Sequence, residues 1–334
     1  VPITLAQAQV NTATDVDYAV IDNLRRYSWL LDQIVFDDTV TPGTGGGSLV
    51  YGYTRLTAAA PAAFRALNSE YTPGQATRAQ YTATLKPLGG AFSVDRVLAR
   101  LGASATNEVT FQMQQLITSI KVRFMQELVL GDTAVDANGF DGLSKALTGT
   151  TTEVTATVSD WTAATVITQA LAMARLDEVD SWLSLIVPSQ TGGGDIGTPG
   201  ALPPGVKAIL GNTKSITRFR ALLRWAGLLQ ERKDDLGRRV EYYGDWALLD
   251  IGDRADGSAP IIPVSSSSTD LYAVTFGIDS LHAASVAGAP LVTSIMPDFS
   301  TSGAVKNGEI EMGPITVVLK NTLSAGVLRA IDVV

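Results

Sequence analysis

Leu130-Gly131-Asp132, and after it Gly139-Phe140-Asp141-Gly142-Leu143, is a glycine-punctuated turn that closes the strongest helical signal in the chain. Upstream, from about Thr106 to Leu130, the residues Val109, Met113, Leu116, Ile117, Ile120, Phe124 and Leu128 recur at spacings of three and four. That period marks one apolar face of a long helix. Gly131 stands where helices commonly end on a left-handed residue, so the pattern predicts a C-terminal cap there. Glutamines and threonines, with few charges, cover much of the other face. Taken alone, this is an ordinary amphipathic core helix.

Toward the N-terminus, Val16, Val20, Leu24, Tyr27, Leu31 and Ile34 predict a second helix over Thr14 to Ile34. Thr14 and Asp17 have the form of a capping box at its start. An uncharged lead-in, Val1 to Ala13, precedes it. The run Pro42-Gly43-Thr44-Gly45-Gly46-Gly47 then breaks the chain before two β-like segments, Leu49 to Leu56 and Gln80 to Leu88. Between them lies Ala58 to Thr77, poor in large apolar residues and carrying Pro61, Pro73 and Gly74. A structureless connection of about 20 residues is rare in a compact domain and is usually functional. The pattern predicts a hairpin that leaves the body of the protein.

Toward the C-terminus the expected order is a helix over Trp161 to Val179 and an apolar strand over Trp182 to Val187. A helix over Gly205 to Gln230 and a hairpin over Arg238 to Ile251 follow. Strands are expected around Leu271 to Phe276, Ile315 to Leu319 and Gly326 to Val334. Long helices mixed with separated strands give an α+β class, and no repeat of about 20–50 residues points to a solenoid.

Composition narrows the function. The 334 residues include no cysteine and one histidine, His282, which excludes disulfides, zinc–thiolate centres, cysteine nucleophiles and multi-histidine metal sites. Charged residues are only 17% of the chain, against roughly 25% in an average protein, so part of the surface is expected to be covered by partners. With 25 Lys and Arg against 33 Asp and Glu, the net charge is −8. An acidic chain argues against sequence readout of duplex DNA but not against enclosing it. The first basic residue is Arg25 and no apolar segment precedes it, so no secretory signal is expected. The uncharged-looking stretch Ser280 to Pro297 reads as strand and loop rather than a membrane span.

Several constellations were weighed for chemistry. Gly192-x-Gly194-x-x-Gly197 has a dinucleotide-like form, but Pro199, Pro203 and Pro204 displace the helix that would hold a pyrophosphate. A loop is the favoured reading. Asp250, Asp253 and Asp256 are three apart, whereas calcium loops place ligands at alternate positions. Asp136 and Asn138 before Gly139 lack carboxylates at Ala134 and Lys145, so both clusters read as acidic turns. His282 has no nucleophile motif beside it and reads as a packed, hydrogen-bonded residue. The basic run Lys214, Arg218, Arg220, Arg224, Arg232, Lys233, Arg238 and Arg239 is interleaved with Phe219 and Trp225 but also with Glu231, Asp234 and Asp235. A solvated or intersubunit salt-bridge face fits it at least as well as nucleic-acid contact. No cofactor, metal or catalytic residue is expected.

Taken in order, these elements resemble the major capsid protein of tailed bacteriophages, the Hong Kong 97-type fold. Ile3-Thr4-Leu5-Ala6-Gln7-Ala8 and the helix after it look like that family's N-terminal arm. Ser48-Leu49-Val50-Tyr51 through Thr84-Leu85-Lys86-Pro87-Leu88-Gly89-Gly90 looks like its extended hairpin, the E-loop. Phe92-Ser93-Val94-Asp95-Arg96 leads toward the spine helix, whose end at Leu130-Gly131-Asp132 and following Phe140-Asp141-Gly142-Leu143 form the most specific match. Arg239 to Asp250, Leu271 to Gly277 and Gly308-Glu309-Ile310-Glu311 resemble axial and peripheral strands.

The resemblance implies an arm with helix over 1–44 and an E-loop over 45–92. It implies a peripheral domain with the spine helix over 93–147 and 296–334, and an axial domain over 148–295. It further implies a non-enzymatic shell subunit forming hexamers and pentamers in an icosahedral lattice, located in the virion and assembled in the host cytoplasm. Packaged double-stranded DNA would be enclosed without sequence readout, and scaffolding, portal and decoration proteins are possible partners; no membrane is involved. Some relatives carry an N-terminal scaffolding segment, whereas here the arm starts almost at once, which implies its cleavage or a separate scaffolding protein. Others join subunits through lysine–asparagine isopeptide bonds. The outer hairpin, Arg55 to Arg78, contains no lysine, and a guanidinium cannot replace the amine, so no cross-link by that route is expected. Expected intersubunit contacts are Arg55, Arg65, Glu70 and Arg78. An encapsulin-type compartment is the nearest alternative, and a soluble α+β nucleotide-binding enzyme using the Gly192 loop is a third.

Overall fold

The computed structural model describes residues 29–41, 49–101, 108–186, 206–233 and 239–334. The expected lead-in, most of the first helix with its Thr14–Asp17 box, and the Gly192 loop lie outside them. So does the Asp234–Arg238 part of the basic run.

In chain order, α1 (Trp29–Gln33) leads into β1 (Phe36–Val40), and then come β2 (Val50–Ala58), β3 (Thr77–Thr84) and β4 (Lys86–Asp95). Two helices follow, α2 (Arg96–Leu101) and α3 (Glu108–Leu130), then the short α4 (Leu143–Leu147) and β5 (Glu153–Thr155). Next are α5 (Gln169–Ser184), β6 (Lys207–Gly211), α6 (Thr213–Ala226), β7 (Gln230–Lys233), β8 (Arg239–Tyr243) and β9 (Trp246–Asp250). The chain ends with β10 (Ser268–Thr275), β11 (Leu281–Val286), β12 (Val292–Ile295), β13 (Val305–Leu319) and β14 (Ala325–Asp332).

Three sheets organise these elements. Five strands form one, in the order β1-β11-β13-β12 with β4 on the other side of β13; seven form another, β5-β14-β10-β6-β9-β8-β7. β2 and β3 pair only with each other. The fold is α+β, although β1–β11, β5–β14 and β6–β9 are parallel pairs within the mixed sheets. Helix α3 spans 23 residues, about 34 Å at 1.5 Å per residue. The expected stripe is its inner face: Ile120, Phe124 and Leu128 are buried, and Met113, Leu116 and Ile117 pack beside them. Val122, Met125 and Val129 are buried as well, so the C-terminal half is enclosed on more than one face. This core reaches one side of the seven-stranded sheet through Leu210, Tyr272, Val274 and Val327. On the sheet's other side, α5 and α6 bury Leu176, Val179, Trp182, Phe219 and Leu223 against Ile209, Leu271 and Ala273.

The glycine turn works by close approach. Gly131 does not take the left-handed backbone expected of a cap; a Cβ there would lie 2.2 Å from the Phe140 carbonyl and 2.5 Å from that of Glu127. A Cβ on Gly142 would come within 2.3 Å of the same Glu127 oxygen. Without side chains, the two strands of the turn meet directly, and the Gly142 amide donates to Gly131 O at 2.9 Å. Asp132 accepts from the Ala134 amide and from Lys145, Asp136 from the Asn138 amide, and Asp141 from the Thr133 amide and hydroxyl. These acids are turn caps.

Four boundaries differ from the sequence expectations. Trp182-Leu183-Ser184 is the last turn of α5, because Ala172, Leu176, Val179 and Leu183 continue a helical stripe through an apolar run that also reads as strand. That helix begins at Gln169 behind its Thr168 cap, leaving Trp161–Ile167 as a turn segment. Lys207–Gly211, expected within a helix, is a fully buried central strand, and α6 starts after Asn212, whose side chain caps Ser215 N. The second hairpin segment divides at Leu85, which is buried and donates its amide to Leu49 O; β4 then pairs with β13 instead of β2. Strand pairing also crosses the expected division at 295/296. β11 and β12 pair with β13, and β14 pairs with β10, since antiparallel partners there are set by tertiary register and not by chain order.

Candidate assembly surface

β2 and β3 form a ribbon in register from Val50↔Thr84 to Ala58↔Thr77. Period-two alternation places Tyr51, Tyr53 and Arg55 on one face. Tyr53 stacks on its cross-strand partner Tyr81 at 5.8 Å, and the Arg55 guanidinium lies 4.4 Å from the Tyr81 ring centre. A two-stranded ribbon is marginal in water without further packing. Its base supplies that packing.

At the base, Tyr51 is buried with Val40, Leu85, Ala284 and Val318. Its hydroxyl donates to Asp37 on β1 at 3.0 Å, and Lys320 lies over its ring. Arg55 donates from Nε to Lys320 O at 2.7 Å and from Nη2 to Leu319 O, tying the ribbon to the end of β13. His282 on β11 meets Tyr51 edge to face at 5.6 Å. It is fully buried, and neither ring nitrogen has a partner. Burial, reinforced by the nearby Lys320 charge, pushes its pKa down to about 4, so the ring is neutral at pH 7. It packs as expected, as part of the ribbon's anchor, but without the hydrogen bonds expected of it.

Beyond Ala58 and Thr77 the ladder stops, and residues 59–76 form a tip without sheet structure. A small turn is held there by Arg65, which donates to Ala66 O and Ser69 O and lies 5.4 Å from the Tyr71 ring. Asn68 takes the left-handed backbone that this turn needs. Around it Phe64 is completely exposed, Leu67 is 92% exposed and Tyr71 63%. Of the four expected contact residues, Arg65 and Glu70 lie on this exposed tip, and Arg78 is exposed on β3, paired with Leu56 at the outer end of the ladder. Arg55, one rung below, is half-buried and donates to Lys320 O and Leu319 O of its own chain. The apolar trio was missed because the segment reads as poor in large apolar residues; the spacing of 64, 67 and 71 was the available signal.

The other candidates are occupied structurally. Asp250 accepts from Thr213 Oγ1 and the Gly252 amide, and Asp256 from Ser258. Arg218 donates to Val333 O and Arg220 pairs with Glu241. Among the described residues no three His, Cys, Asp or Glu side chains gather where a metal ion would sit. No described helix is long and apolar enough to cross a membrane. A cleft of about 640 Å³ between the ribbon base and the 133–146 turn carries Lys86 and Lys145. Both amines are engaged, Lys86 with Ala137 O and Lys145 with Asp132.

No protein-family model and no curated protein matches this sequence. Solved structures do match the fold over its whole length. The holo-SrpI encapsulin complex from Synechococcus elongatus PCC 7942 aligns with a TM-score of 0.64 at 12% identity, over 100% of this chain and 97% of that one. The capsid of Myoviridae phage XM1 aligns at 0.57 and 13% identity, over 98% of both chains. The capsid of the native GTA particle aligns at 0.60 and 11% identity, over 96% of both. With the spine helix, its glycine turn, the two mixed sheets and the projecting ribbon in place, the chain has the Hong Kong 97-type fold shared by these capsids and the encapsulin.

Proposed function

We propose that this protein is a structural subunit that self-assembles into a closed icosahedral shell, the head of a tailed phage, around double-stranded DNA. The observation that carries the reading is the ribbon itself. Its base is fixed by buried contacts, while its tip holds Phe64, Leu67 and Tyr71 in solvent. Large apolar side chains clustered in solvent mark an interaction site, and a rigid arm delivers them away from the body to a neighbouring copy. Many modest contacts repeated around a closed lattice stabilise it cooperatively, so no single strong site is needed. An acidic wall is compatible with packaged DNA, whose charge is neutralised by counterions. Assembly in the host cytoplasm into a virion, aided by scaffolding, portal or decoration proteins, belongs to the same reading, as does the division into arm, E-loop, peripheral and axial domains.

The encapsulin reading has its own support in the alignment of the SrpI shell at a TM-score of 0.64. Particle contents separate the two. Electron microscopy of the expressed protein is expected to show closed shells; nuclease-protected duplex DNA in native particles favours the phage head, and a folded enzyme cargo favours the compartment. A chain that stays monomeric under all assembly conditions sinks both. Boiled, reduced particles are expected to run as monomers on a denaturing gel, because the outer hairpin offers no lysine; a multimeric ladder would contradict this.

A further inference from the structure

A groove of about 310 Å³ opens between α6 and the segment before α5, walled by Trp161, Val166, Ile167, Arg218 and Trp225. A second hollow, of about 250 Å³, continues it past Arg224 along the same face of α6. Three independent features leave this surface incomplete among the described residues. First, Ile167 is 63% exposed and Trp225 48%; an exposed tryptophan beside arginine is the composition of an interface centre. Second, Trp161 is 1% exposed, stacked on Phe219, and its indole Nε1–H has no hydrogen-bond partner. Buried donors are nearly always satisfied, so an acceptor is missing from a group that lines the groove. Third, α6 carries Lys214, Arg218, Arg220 and Arg224 and no acid, and among the described residues only Arg218 and Arg220 are engaged within the chain, with Val333 O and Glu241, in a chain whose net charge is −8.

We infer that this groove is the seat of a second copy of the chain, which presents an apolar side chain flanked by carboxylates. The apolar group fills the space beside Trp225 and Ile167. A carboxylate meets Arg224 at the rim, and an oxygen acceptor reaches the Trp161 indole. Charge complementarity selects the occupant: a copy of the same acidic chain offers carboxylates to a helix that carries basic residues and no acid. Because a basic groove and an acidic surface are different patches, the contact is head-to-tail, the type that closes rings when the rotation fits. The inference rests on the shell reading and adds the face through which neighbours in a ring meet; the hairpin tip is a separate contact.

The cysteine- and partner-independent test is a photoreactive benzoyl-phenylalanine placed at position 225 of the full chain, irradiated in assembled particles. Covalent dimers and higher multimers are expected, with the cross-linked peptide containing Asp or Glu. In parallel, Trp225→Ala and Arg224→Glu are expected to raise the protein concentration needed for assembly about tenfold or more, with the unfolding midpoint of the monomer unchanged. Wild-type shells accompanied by cross-links only within the chain, or to a different protein, overturn the inference and leave the shell reading intact. So do Trp225→Ala particles forming at the wild-type concentration. Failure of the wild-type chain to assemble at all overturns the shell reading and this inference with it.

Discussion

The two ends of the β2–β3 ribbon share one backbone ladder but differ in what completes them. At the base, Tyr51 is 7% exposed, and its ring, its hydroxyl and the Arg55 guanidinium all find partners on β1, β11 and the end of β13. At the tip, Phe64, Leu67 and Tyr71 find none beyond the Arg65 guanidinium. The base therefore belongs to the folding of the monomer. The tip has no such partners among the described residues, and in the proposed shell another copy completes it. On that reading, the fold separates monomer stability from lattice cohesion along a single hairpin.

The comparison breaks first at Tyr51. Tyr51→Ala removes a buried aromatic and leaves the Asp37 carboxylate without its donor, which is expected to cost about 3 kcal/mol of folding stability. Chemical denaturation of the unassembled chain measures it. A loss no larger than that of a surface substitution would mean that the base is not an anchor.

Next comes pH. His282 titrates near 4 in the folded protein and near 6.5 when unfolded. Between those values the unfolded chain binds a proton that the native chain does not, so stability falls as pH drops from about 6.5 to about 4 and this group contributes no further change below. The loss reaches about 3 kcal/mol, and His282→Leu is expected to flatten that slope. Limited proteolysis across the same pH range sharpens the point, because the ribbon is expected to be cut earlier than the body.

A smaller effect is expected at Arg55. Its two bonds to backbone carbonyls are part-exposed, so Arg55→Ala is expected to cost about 1–2 kcal/mol, read by denaturation and by faster ribbon cleavage. If Arg55 also meets a neighbouring subunit, assembly is expected to suffer beyond what the loss of monomer stability accounts for. Least of all, for the monomer, is the paired change Phe64→Ser and Leu67→Ser. Its unfolding free energy is expected to move by less than about 0.5 kcal/mol, while the concentration required for particles rises. Arg65→Glu is expected to act in the same direction by undoing the turn that presents Tyr71. Unchanged particle yield in both variants would remove the tip from the interface.

Much of this architecture is legible before any coordinates. The α3 stripe, the ribbon as an excursion, and the Gly131–Gly142 turn can all be read from period and punctuation, because each is local. The strand–helix confusion at Trp182 and at Lys207–Gly211 arises where a short apolar run satisfies both periods, and burial between layers decides the outcome. Gly131 shows a subtler limit. The sequence marks a glycine, but whether it serves a left-handed backbone or a close approach depends on the Phe140 and Glu127 carbonyls that meet there.

The contact surfaces divide the same way. Sequence alone excluded disulfide, zinc–thiolate and multi-histidine chemistry, showed few charges and an acidic balance, and set out elements in an order that resembles the shell fold. It also placed Arg65, Glu70 and Arg78 on the outer hairpin. Only tertiary structure tied Arg55 to the Lys320 and Leu319 carbonyls, joined Asp37, Tyr51, His282 and Lys320 into one anchor, and set Trp161 beside Trp225. Those residues are far apart in the chain, and no local period records a contact that exists only after the β-sheets have paired.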